Sequence, residues 1–262
     1  MLRDIIRKYL NTKGYEIIKK PYFEKYPSTR DGRALFFKTP LGNYYLPDDA
    51  DKDGVAEAMA KGIVFDQPIV DVAKRYIKPG TAVLDIGGNF GQMAVIFSKM
   101  VGDNGKVYVF EAQDKVFQYL NRTIDANNCK NIISKDGAVY NVDGVTLIFP
   151  EPDLDLPNPY GANSIDPKLK KGREVKTFTI DSMNIPEKIS FIKVDIQGSD
   201  LFALQGAKNT IMKNKMPIIF EFEQEFQEQF GTTFQDYVDF VDEIGYKFAE
   251  TIMDINFLVV PK

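Results

Sequence analysis

Histidine and tryptophan are absent from this chain of 262 residues, and cysteine occurs once. Without histidine, a Ser-His-Asp or Cys-His catalytic arrangement is impossible, so any proton transfer must fall to Asp, Glu, Lys or Tyr. The single cysteine, Cys129, cannot form an internal disulfide, and the sequence has no cluster of Cys and His that would hold zinc. We therefore expect no zinc site and a protein of a reducing compartment.

Long apolar runs and an excess of one charge are also missing. The 33 Lys and Arg residues nearly balance the 37 Asp and Glu residues, and the pI is about 5.1. The basic residues are scattered along the chain, which argues against a nucleic-acid substrate. No segment approaches the length of a membrane span, and residues 1–8 carry charges where a signal peptide needs an apolar stretch. The sequence therefore predicts a cytoplasmic protein with no membrane span.

The most informative stretch that is present is a glycine-rich turn between two apolar runs. The first run leads into D-I-G-G-N-F-G at 85–91, and the second run, at 107–111, ends in Glu111. Glycines after a parallel strand let a ligand approach the backbone, and an acid closing the next strand can accept both ribose hydroxyls of an adenosine. The pattern predicts an adenosine-containing ligand, with Glu111 binding its ribose.

Three features distinguish the candidate ligands. The dinucleotide fingerprint G-x-G-x-x-G fails because Asn89 stands where its second glycine belongs. Asp85 would repel a pyrophosphate, but it suits a ligand that carries an ammonium and a sulfonium. No G-K-[ST] follows the glycines, which excludes a P-loop. S-adenosylmethionine fits best, while a redox dinucleotide and a glycine turn without a ligand remain open.

From residue 66 onward, strand and helix patterns alternate, as in a parallel sheet covered on both faces. We predict helices near 66–77, 90–100, 114–128, 199–213 and 232–244, and strands near 81–86, 106–111, 132–139, 189–195, 216–223, 246–251 and 255–260. The last two strands are too close in sequence for a crossover, so they must pair antiparallel. This α/β arrangement, a seven-stranded mostly parallel sheet with one antiparallel strand, resembles the Rossmann-like class I methyltransferases.

Two segments fall outside this alternation. Residues 1–60 predict a small extension, with an amphipathic helix at 2–10 and a β-hairpin at 34–46, before a main domain at 61–262. A second hairpin is expected as an insert at about 140–181. Its turn-rich tip offers three candidate contacts to the methyl acceptor, namely Tyr160, Asn163 and Ser164, because loops on a rigid scaffold often supply specificity. A solvated connector is the alternative.

Six short motifs resemble those of the FkbM-type methyltransferases. They are D-I-G-G-N-F-G at 85–91, F-E at 110–111, T-I-D at 179–181, F-I-K-V-D-I-Q-G at 191–198, L-Q-G-A at 204–207 and P-I-I-F-E at 217–221. The resemblance implies methyl transfer from S-adenosylmethionine, usually to an oxygen of a sugar, a polyketide or a surface polysaccharide. Gln197 and Asp200 depart from it, since glutamate is usual at both positions. Any role of the glutamate at 197 therefore cannot be carried over.

The candidate cofactor ligands come from the turn and from the ends of the strands. Backbone N–H groups of Gly87 and Gly91 are expected near the methionine carboxylate, and Asp85 near the ammonium, although Asp85 can also serve as a helix cap. The resemblance places the adenine at Asp136 and Gly137. The full predicted set is Asp85, Gly87, Asn89, Gly91, Glu111, Ala112, Asp136, Gly137 and Asp195.

Lys193 and Asp195 alternate on the fourth strand, so both side chains lie on the same side of it. Asp195 is the first candidate for the general base, with Glu221 second and Tyr160 third. A structural ion pair is the alternative for Lys193 and Asp195. Oxygen ligands leave magnesium conceivable, but we predict no metal.

The leading function is thus an O-directed methyltransferase acting on a glycan or small-molecule acceptor. An NAD(P)-dependent oxidoreductase and a non-catalytic nucleotide-binding module remain as alternatives.

Overall fold

The computed structural model describes residues 26–50, 53–150, 160, 165, 168–169 and 171–262. In chain order its elements are β1 (Ser28–Asp31), β2 (Ala34–Lys38), β3 (Asn43–Pro47), α1 (Gly54–Ala60), α2 (Gln67–Tyr76), β4 (Ala82–Ile86), α3 (Gln92–Val101), β5 (Lys106–Glu111), α4 (Asp114–Ala126), β6 (Ile132–Asp136), β7 (Ala138–Val139), β8 (Thr146–Phe149), β9 (Arg173–Phe178), β10 (Ile189–Val194), α5 (Asp200–Gln205), α6 (Lys208–Asn214), β11 (Ile218–Glu221), α7 (Gln224–Phe230), α8 (Phe234–Glu243), β12 (Tyr246–Ile252) and β13 (Asn256–Pro261). The helix expected at 2–10, Asn163 and Ser164 lie outside the described residues.

A seven-stranded sheet in the order β12-β13-β11-β10-β4-β5-β6 forms the centre of the structure. The pairs from β11 to β6 are parallel, whereas β13 runs antiparallel to both β11 and β12. The chain passes from β12 to β13 in a tight turn at Met253 and Asp254, both in the left-handed region of φ. This confirms the predicted Rossmann-like sheet with one antiparallel strand.

The central strands are buried on both faces. Every residue of β4 and of β10 is buried, which explains why both segments read as almost continuous apolar runs. Neighbouring residues of β10 belong to hydrophobic clusters on opposite faces of the sheet: Ile192 shares one with Leu201 of α5, and Phe191 shares the other with Val95 of α3. Helices therefore cover both faces of the sheet, as the alternating sequence pattern predicts.

Some boundaries differ from the predicted ones, because contacts distant in sequence determine them. The third strand of the sheet ends at Asp136 and not at 139, since Gly137 (φ 122°) turns the chain and Ala138–Val139 pairs with β9 instead. The helix predicted at 199–213 is two helices. They are separated at Gly206, where a side chain is impossible because a Cβ would lie 1.9 Å from the carbonyl oxygen of Tyr140.

Three short elements were not predicted: β1, α1 and α7. The fifth strand, expected at 216–223, is confined to Ile218–Glu221 because α7 begins directly after it. This early end matters for the site, since it leaves Glu221 and Glu223 at the carboxyl edge of the sheet.

The described residues before position 60 pack on helix α4, chiefly through β3. Strands β1, β2 and β3 form a small antiparallel sheet, so the predicted hairpin is part of a three-stranded unit. Its buried aromatic residues, Phe37 and Tyr44, share a hydrophobic cluster with Phe90 and Tyr119. The side chain of Asn127, the residue that caps the end of α4, also accepts a hydrogen bond from the Asn43 N–H at 2.9 Å. The division of the chain at residue 60 stays a prediction.

The expected insert contains a second small sheet. Strand β9 pairs antiparallel with β8 and parallel with β7. The side chain of Arg173, the first residue of β9, donates to the carbonyl of Ala112, which ties this sheet to the carboxyl end of β5. In the part of the chain that the structure describes, no helix is long and apolar enough to cross a membrane.

Candidate active site

The carboxyl ends of β4, β5, β10 and β11 meet at one edge of the sheet, and two adjoining cavities open there. The first cavity, of about 620 Å³, is lined by Ile86, Gly87, Asn89, Phe110, Glu111, Ala112, Gln113, Gly137, Ala138, Val139, Phe149, Tyr160, Ile165, Asp195, Ile196, Gln197 and Ser199. The second, of about 1220 Å³, is lined by Asp53, Gly54, Val55, Phe65, Asp66, Ile69, Gly87, Gly88, Asn89, Gln92, Met93, Lys193, Asp195, Gln197, Glu221, Glu223, Met253, Ile255 and Asn256.

Gly87, Asn89, Asp195 and Gln197 belong to both walls. A ligand that fills the first cavity therefore meets a ligand in the second cavity at these four residues.

The glycine-rich turn is held by its own backbone contacts. Gly87 has φ 87°, and a Cβ there would lie 1.9 Å from the carbonyl oxygen of Asp195, so this glycine lets the β4 and β10 loops touch. Asn89 adopts a left-handed φ of 46°, which asparagine tolerates better than most residues. Gly91 lines neither cavity, because it faces α4, where a Cβ would lie 2.7 Å from the Leu120 side chain. The structure therefore gives Gly91 a packing role.

Glu111 ends β5 on the wall of the first cavity and is only 9% exposed. Its Oε2 accepts the Asn89 N–H at 2.9 Å, and its Oε1 accepts the Gln113 N–H at 2.8 Å. Burial raises the pKa of Glu111 to about 7 despite these hydrogen bonds. Each carboxylate oxygen keeps a further lone pair for a ligand in the cavity.

Asp85 is fully buried and belongs to neither wall. Neither of its carboxylate oxygens has a hydrogen-bond partner among the described residues, and Lys193 Nζ approaches Oδ1 at 3.5 Å. Burial raises the pKa of Asp85 to about 6, against the effect of Lys193. The alternative role as a helix cap is not seen, because the residue at the start of α3 is Gly91.

Lys193 is 3% exposed and connects the ends of β4 and β10. Its ammonium donates to the Gly87 carbonyl oxygen at 2.9 Å, and it lies 3.3 Å from Asp195 Oδ2. Although burial alone lowers the pKa of Lys193, the carboxylates of Asp195, Asp85 and Asp66 raise it above its usual range. Lys193 and Asp195 are therefore an ion pair on the same side of the strand.

Gln197 joins the two carboxyl groups proposed as bases. Its side-chain nitrogen donates to Asp195 Oδ1 at 3.0 Å and to Glu221 Oε2 at 2.7 Å. Burial raises the pKa of Asp195, but the Lys193 ammonium and these hydrogen bonds outweigh it and hold the pKa below its usual range. Burial and the negative charge of Asp195 raise the pKa of Glu221 strongly. At neutral pH Asp195 is thus the anion of the pair and Glu221 is the neutral acid.

Asp200, the second departure from the family motifs, serves the loop that follows β10. It is fully buried, and its carboxylate accepts the N–H groups of Ile196 and Gly198 at 3.4 and 3.1 Å. Burial and the Asp195 charge raise its pKa to about 7. Asp200 lines neither cavity and supports the backbone on which Gln197 stands.

Of the other predicted site residues, some line the first cavity and some do not. Ala112 and Gly137 line the first cavity, whereas Asp136 is exposed and lines neither. Tyr160 also lines the first cavity, but its hydroxyl donates to Asp49 Oδ1 at 2.8 Å and is hydrogen-bonded to Lys115. That hydroxyl is already hydrogen-bonded to Asp49 and Lys115, and Tyr160 does not line the second cavity, where Glu221 lies. Tyr160 is therefore not placed to act as the base.

Sequence reasoning did not single out Asp66 or Asn256, both of which line the second cavity. Asp66 directly precedes α2, where an aspartate is ordinarily interpreted as a helix cap, yet its side chain makes no capping bond. Burial and the Asp195 charge raise its pKa to about 6. Asn256 begins a strand in an otherwise apolar run, and a polar residue at that position is only a weak indication of a site.

The sequence profile of the methyltransferase FkbM domain matches residues 85–248, which is more than half of the chain. This protein belongs to the FkbM methyltransferase family. It is accordingly an S-adenosylmethionine-dependent methyltransferase. The family assignment selects this function over the NAD(P)-dependent oxidoreductase. The chain holds both the F-E pair and the F-I-K-V-D block within the matched region.

Several solved structures are similar in fold. An FkbM methyltransferase from Methylobacillus flagellatus KT is 15% identical, with 82% of this chain and 55% of that chain covered and a TM-score of 0.46. An S-adenosylmethionine-dependent methyltransferase from Aquifex aeolicus is 18% identical, covering 73% and 87%, with a TM-score of 0.41. Fibrillarin from Aeropyrum pernix with bound S-adenosylmethionine is 12% identical, covering 93% and 86%, with a TM-score of 0.40. No curated protein matches the sequence.

The residues present fit the methyl donor. The first cavity offers apolar surface from Phe110 and Val139 beside the Glu111 carboxylate, as an adenosine requires. The orphaned, fully buried oxygens of Asp85 add negative charge behind the glycine turn, which suits a sulfonium cation. Among the described residues, no group of three or more His, Cys, Asp or Glu side chains is arranged to hold a metal ion.

We expect the stability of the ligand-free protein to fall as pH rises from 5 to 7.5. The pKa values of Glu111 and Asp200, about 7, and of Asp85, about 6, exceed those of an unfolded chain, so the folded protein retains protons that the unfolded chain has released. Carboxyl groups with lowered pKa values titrate below this window and do not oppose the trend. Urea unfolding at several pH values measures the slope.

The variant Glu111→Gln tests whether carboxyl groups with raised pKa values cause this pH dependence of stability. It removes one titrating group, so the slope should become shallower by up to about 1.4 kcal/mol per pH unit, whatever the variant does to stability itself. With no histidine in the chain, no other side-chain type masks the effect. An identical slope in both proteins would show that Glu111 does not retain its proton.

Proposed function

We propose that this methyltransferase is O-directed and methylates a hydroxyl of a sugar, a surface-polysaccharide group or a related small acceptor. The observation that carries this proposal is the common wall of the two cavities at Gly87, Asn89, Asp195 and Gln197. A donor in the first cavity and an acceptor in the second would meet beside the Asp195 carboxylate. The family resemblance supports an oxygen of a glycan as the acceptor.

The first cavity would hold the adenosine. Glu111 keeps two lone pairs for the ribose hydroxyls while the N–H groups of Asn89 and Gln113 fix its orientation. Ala112 and Gly137 would border the adenine, consistent with their place on the wall. Asp136 is not part of this proposal, because its side chain is exposed and lies on neither wall.

The methionine end would lie over the glycine turn, where negative charge predominates. Asp195 and Asp66 reach the second cavity directly, and Asp85 acts from behind the turn. We assign the donor's ammonium to Asp66 and Asp195, since Asp66 makes no capping bond and faces the cavity. The raised pKa of Asp66, caused by burial and by Asp195, is the mark of a carboxylate that gains from a cation beside it.

When bound, S-adenosylmethionine supplies an electrophilic methyl group whose bond to sulfur breaks as the bond to the acceptor oxygen forms, leaving a neutral thioether. The chain's task is to position the acceptor hydroxyl and to receive its proton. Holding the acceptor oxygen about 3 Å from the methyl carbon accounts for much of the acceleration in such in-line displacements. The proton of the hydroxyl passes to Asp195 Oδ, which completes the balance.

Asp195 suits the role of base better than Glu221. Lys193 keeps Asp195 ionised, and an ionised carboxylate is needed to accept a proton. Glu221 already carries a proton at neutral pH because burial and Asp195 raise its pKa. Glu221 and Gln197 are then positioning residues that hold the Asp195 oxygens toward the second cavity.

Glu111→Gln should weaken the binding of S-adenosylmethionine and S-adenosylhomocysteine by about 1.5–3 kcal/mol, roughly 10- to 150-fold, because a charge-assisted contact to the ribose is lost. Titration calorimetry at pH 8, where the carboxylate is ionised, measures the affinity. The matched control is Glu187→Gln, which removes the same charge near the start of β10, at the opposite edge of the sheet. Equal affinities in the wild type and Glu111→Gln would remove Glu111 from the site.

Asp195→Asn should lower turnover by about 10²–10⁴, the usual contribution of a general base, and should weaken donor binding by a smaller factor, because Asp66 still faces the donor's ammonium. Glu221→Gln should keep most of the turnover, since glutamine can replace a neutral glutamic acid that accepts a hydrogen bond from Gln197. Methyl transfer and calorimetry on both variants decide the assignment. The reverse pattern would place the base on β11, and full activity in both would mean that positioning alone suffices.

A further inference from the structure

The far wall of the second cavity is formed by the ends of β11 and β13. Asn256 pairs in register with Glu221 across these antiparallel strands, so the two side chains share one face of the sheet. Glu223 follows two residues after Glu221 and lines the same cavity. This wall lies opposite the glycine turn, on the side where an acceptor would enter.

Asn256 is 4% exposed and lines the cavity, yet its side-chain amide has no hydrogen-bond partner among the described residues. The Asn256 amide atoms are not among the side-chain atoms that are both fully buried and unpartnered, so they are open to the cavity. An amide on a cavity wall can both donate to and accept from a polar ligand. Asn256 therefore points to a ligand with polar groups at this place.

The charge of the cavity is negative, and the protein does not neutralise it. Carboxyl groups of Asp66, Asp195, Glu221 and Glu223 line it, with Lys193 as the one ammonium among the described lining residues. That ammonium is already engaged by the Gly87 carbonyl oxygen and by two carboxylates. Burial and nearby acids raise the pKa of Glu223 as well. Even after the donor's ammonium is matched by Asp66 and Asp195, Glu223 remains without a cation.

The mouth of the cavity is apolar. Phe65 and Met253 are 49% and 42% exposed although both are large hydrophobic residues, and both line the second cavity. Phe65 comes from the loop before α2, and Met253 comes from the β12–β13 turn. An aromatic ring and a thioether at the entrance suit an acceptor with an apolar face beside its charge, because an aromatic face attracts both apolar groups and cations.

We propose that the acceptor is a hydroxylated amine, of which an amino sugar is the model, whose ammonium is bound by Glu223 and whose neighbouring hydroxyl is oriented by Asn256. This inference rests on the proposed function and narrows its substrate class. The same wall disfavours phosphorylated and nucleotide-linked sugars, since their phosphates would lie near the unmatched Glu223 carboxylate, and the one ammonium among the described lining residues is already engaged. Specificity would thus follow from attraction of a cation and from repulsion of anions.

The test uses the full chain, which is first titrated with S-adenosylhomocysteine by calorimetry. Methyl transfer from S-adenosylmethionine with a deuterated methyl group is then measured by mass spectrometry. The probes are amino-deoxy methyl glycosides, their N-acetyl derivatives, the parent methyl glycosides and the 6-phosphates. We expect kcat/KM to be at least tenfold higher for the free amines than for the N-acetyl derivatives, with no transfer to the phosphates.

Two variants test whether Glu223, on the wall formed by β11 and β13, causes the preference for amines. Glu223→Gln should raise KM for the amines about tenfold, reduce the preference for them, and leave the affinity for S-adenosylhomocysteine unchanged. Glu225→Gln, which removes the same charge from an exposed position in α7 outside the cavity, should keep the wild-type values. Both variants are checked by thermal unfolding, so that a folding defect is not taken for lost recognition.

The outcomes separate the two proposals. Failure to bind S-adenosylhomocysteine would overturn the proposed function and this inference together. Donor binding with equal or better transfer to N-acetylated or phosphorylated probes would overturn the inference alone, as would transfer to none of the amines. An amine preference that survives in Glu223→Gln would also overturn it, because Glu223 would then not be the cation's partner.

Discussion

The buried ammonium of Lys193 is the contact on which the geometry of the site depends. A lone charge in a protein interior is costly by several kcal/mol, and it persists here because Asp85 and Asp195 lie within 3.5 Å of it. The same ammonium donates to the carbonyl oxygen of Gly87. One side chain thus holds the glycine turn after β4 against the loop after β10, and loss of the lysine would leave two carboxylates facing each other in the interior.

The positive charge of Lys193 determines which carboxyl groups of the site are ionised. Lys193 favours the ionised form of Asp195, and ionised Asp195 in turn favours the neutral form of Glu221. Gln197 fits between them because an amide can donate to both. A glutamate at 197, usual in related sequences, would bring a third carboxyl group to the same few ångströms and would need another proton or a cation. The glutamine is therefore consistent with its surroundings.

Local sequence was sufficient for the parts of the fold that depend on short-range constraints. The antiparallel pairing of β12 and β13 was predictable because the turn at Met253 is too short for a crossover. The end of β6 was not, since it depends on pairing between Val139 and Phe178, residues distant in sequence.

The same distinction holds in the site. Glu111, at a strand end beside glycines, lies on the wall where the motif predicted it. Asn256 and Asp66 line the second cavity, and Gly91 packs against α4. These positions depend on residues distant in sequence, so no short motif predicts them. Sequence patterns therefore predicted residues of the first cavity better than residues of the second.

The one antiparallel strand has a consequence for how such enzymes can diversify. The wall of the first cavity is built by residues 86–199, whereas five residues of the second cavity, Glu221, Glu223, Met253, Ile255 and Asn256, come from the last part of the chain. Substitutions in that part of the gene can therefore change the shape and charge of the second cavity without replacing any residue that lines the first.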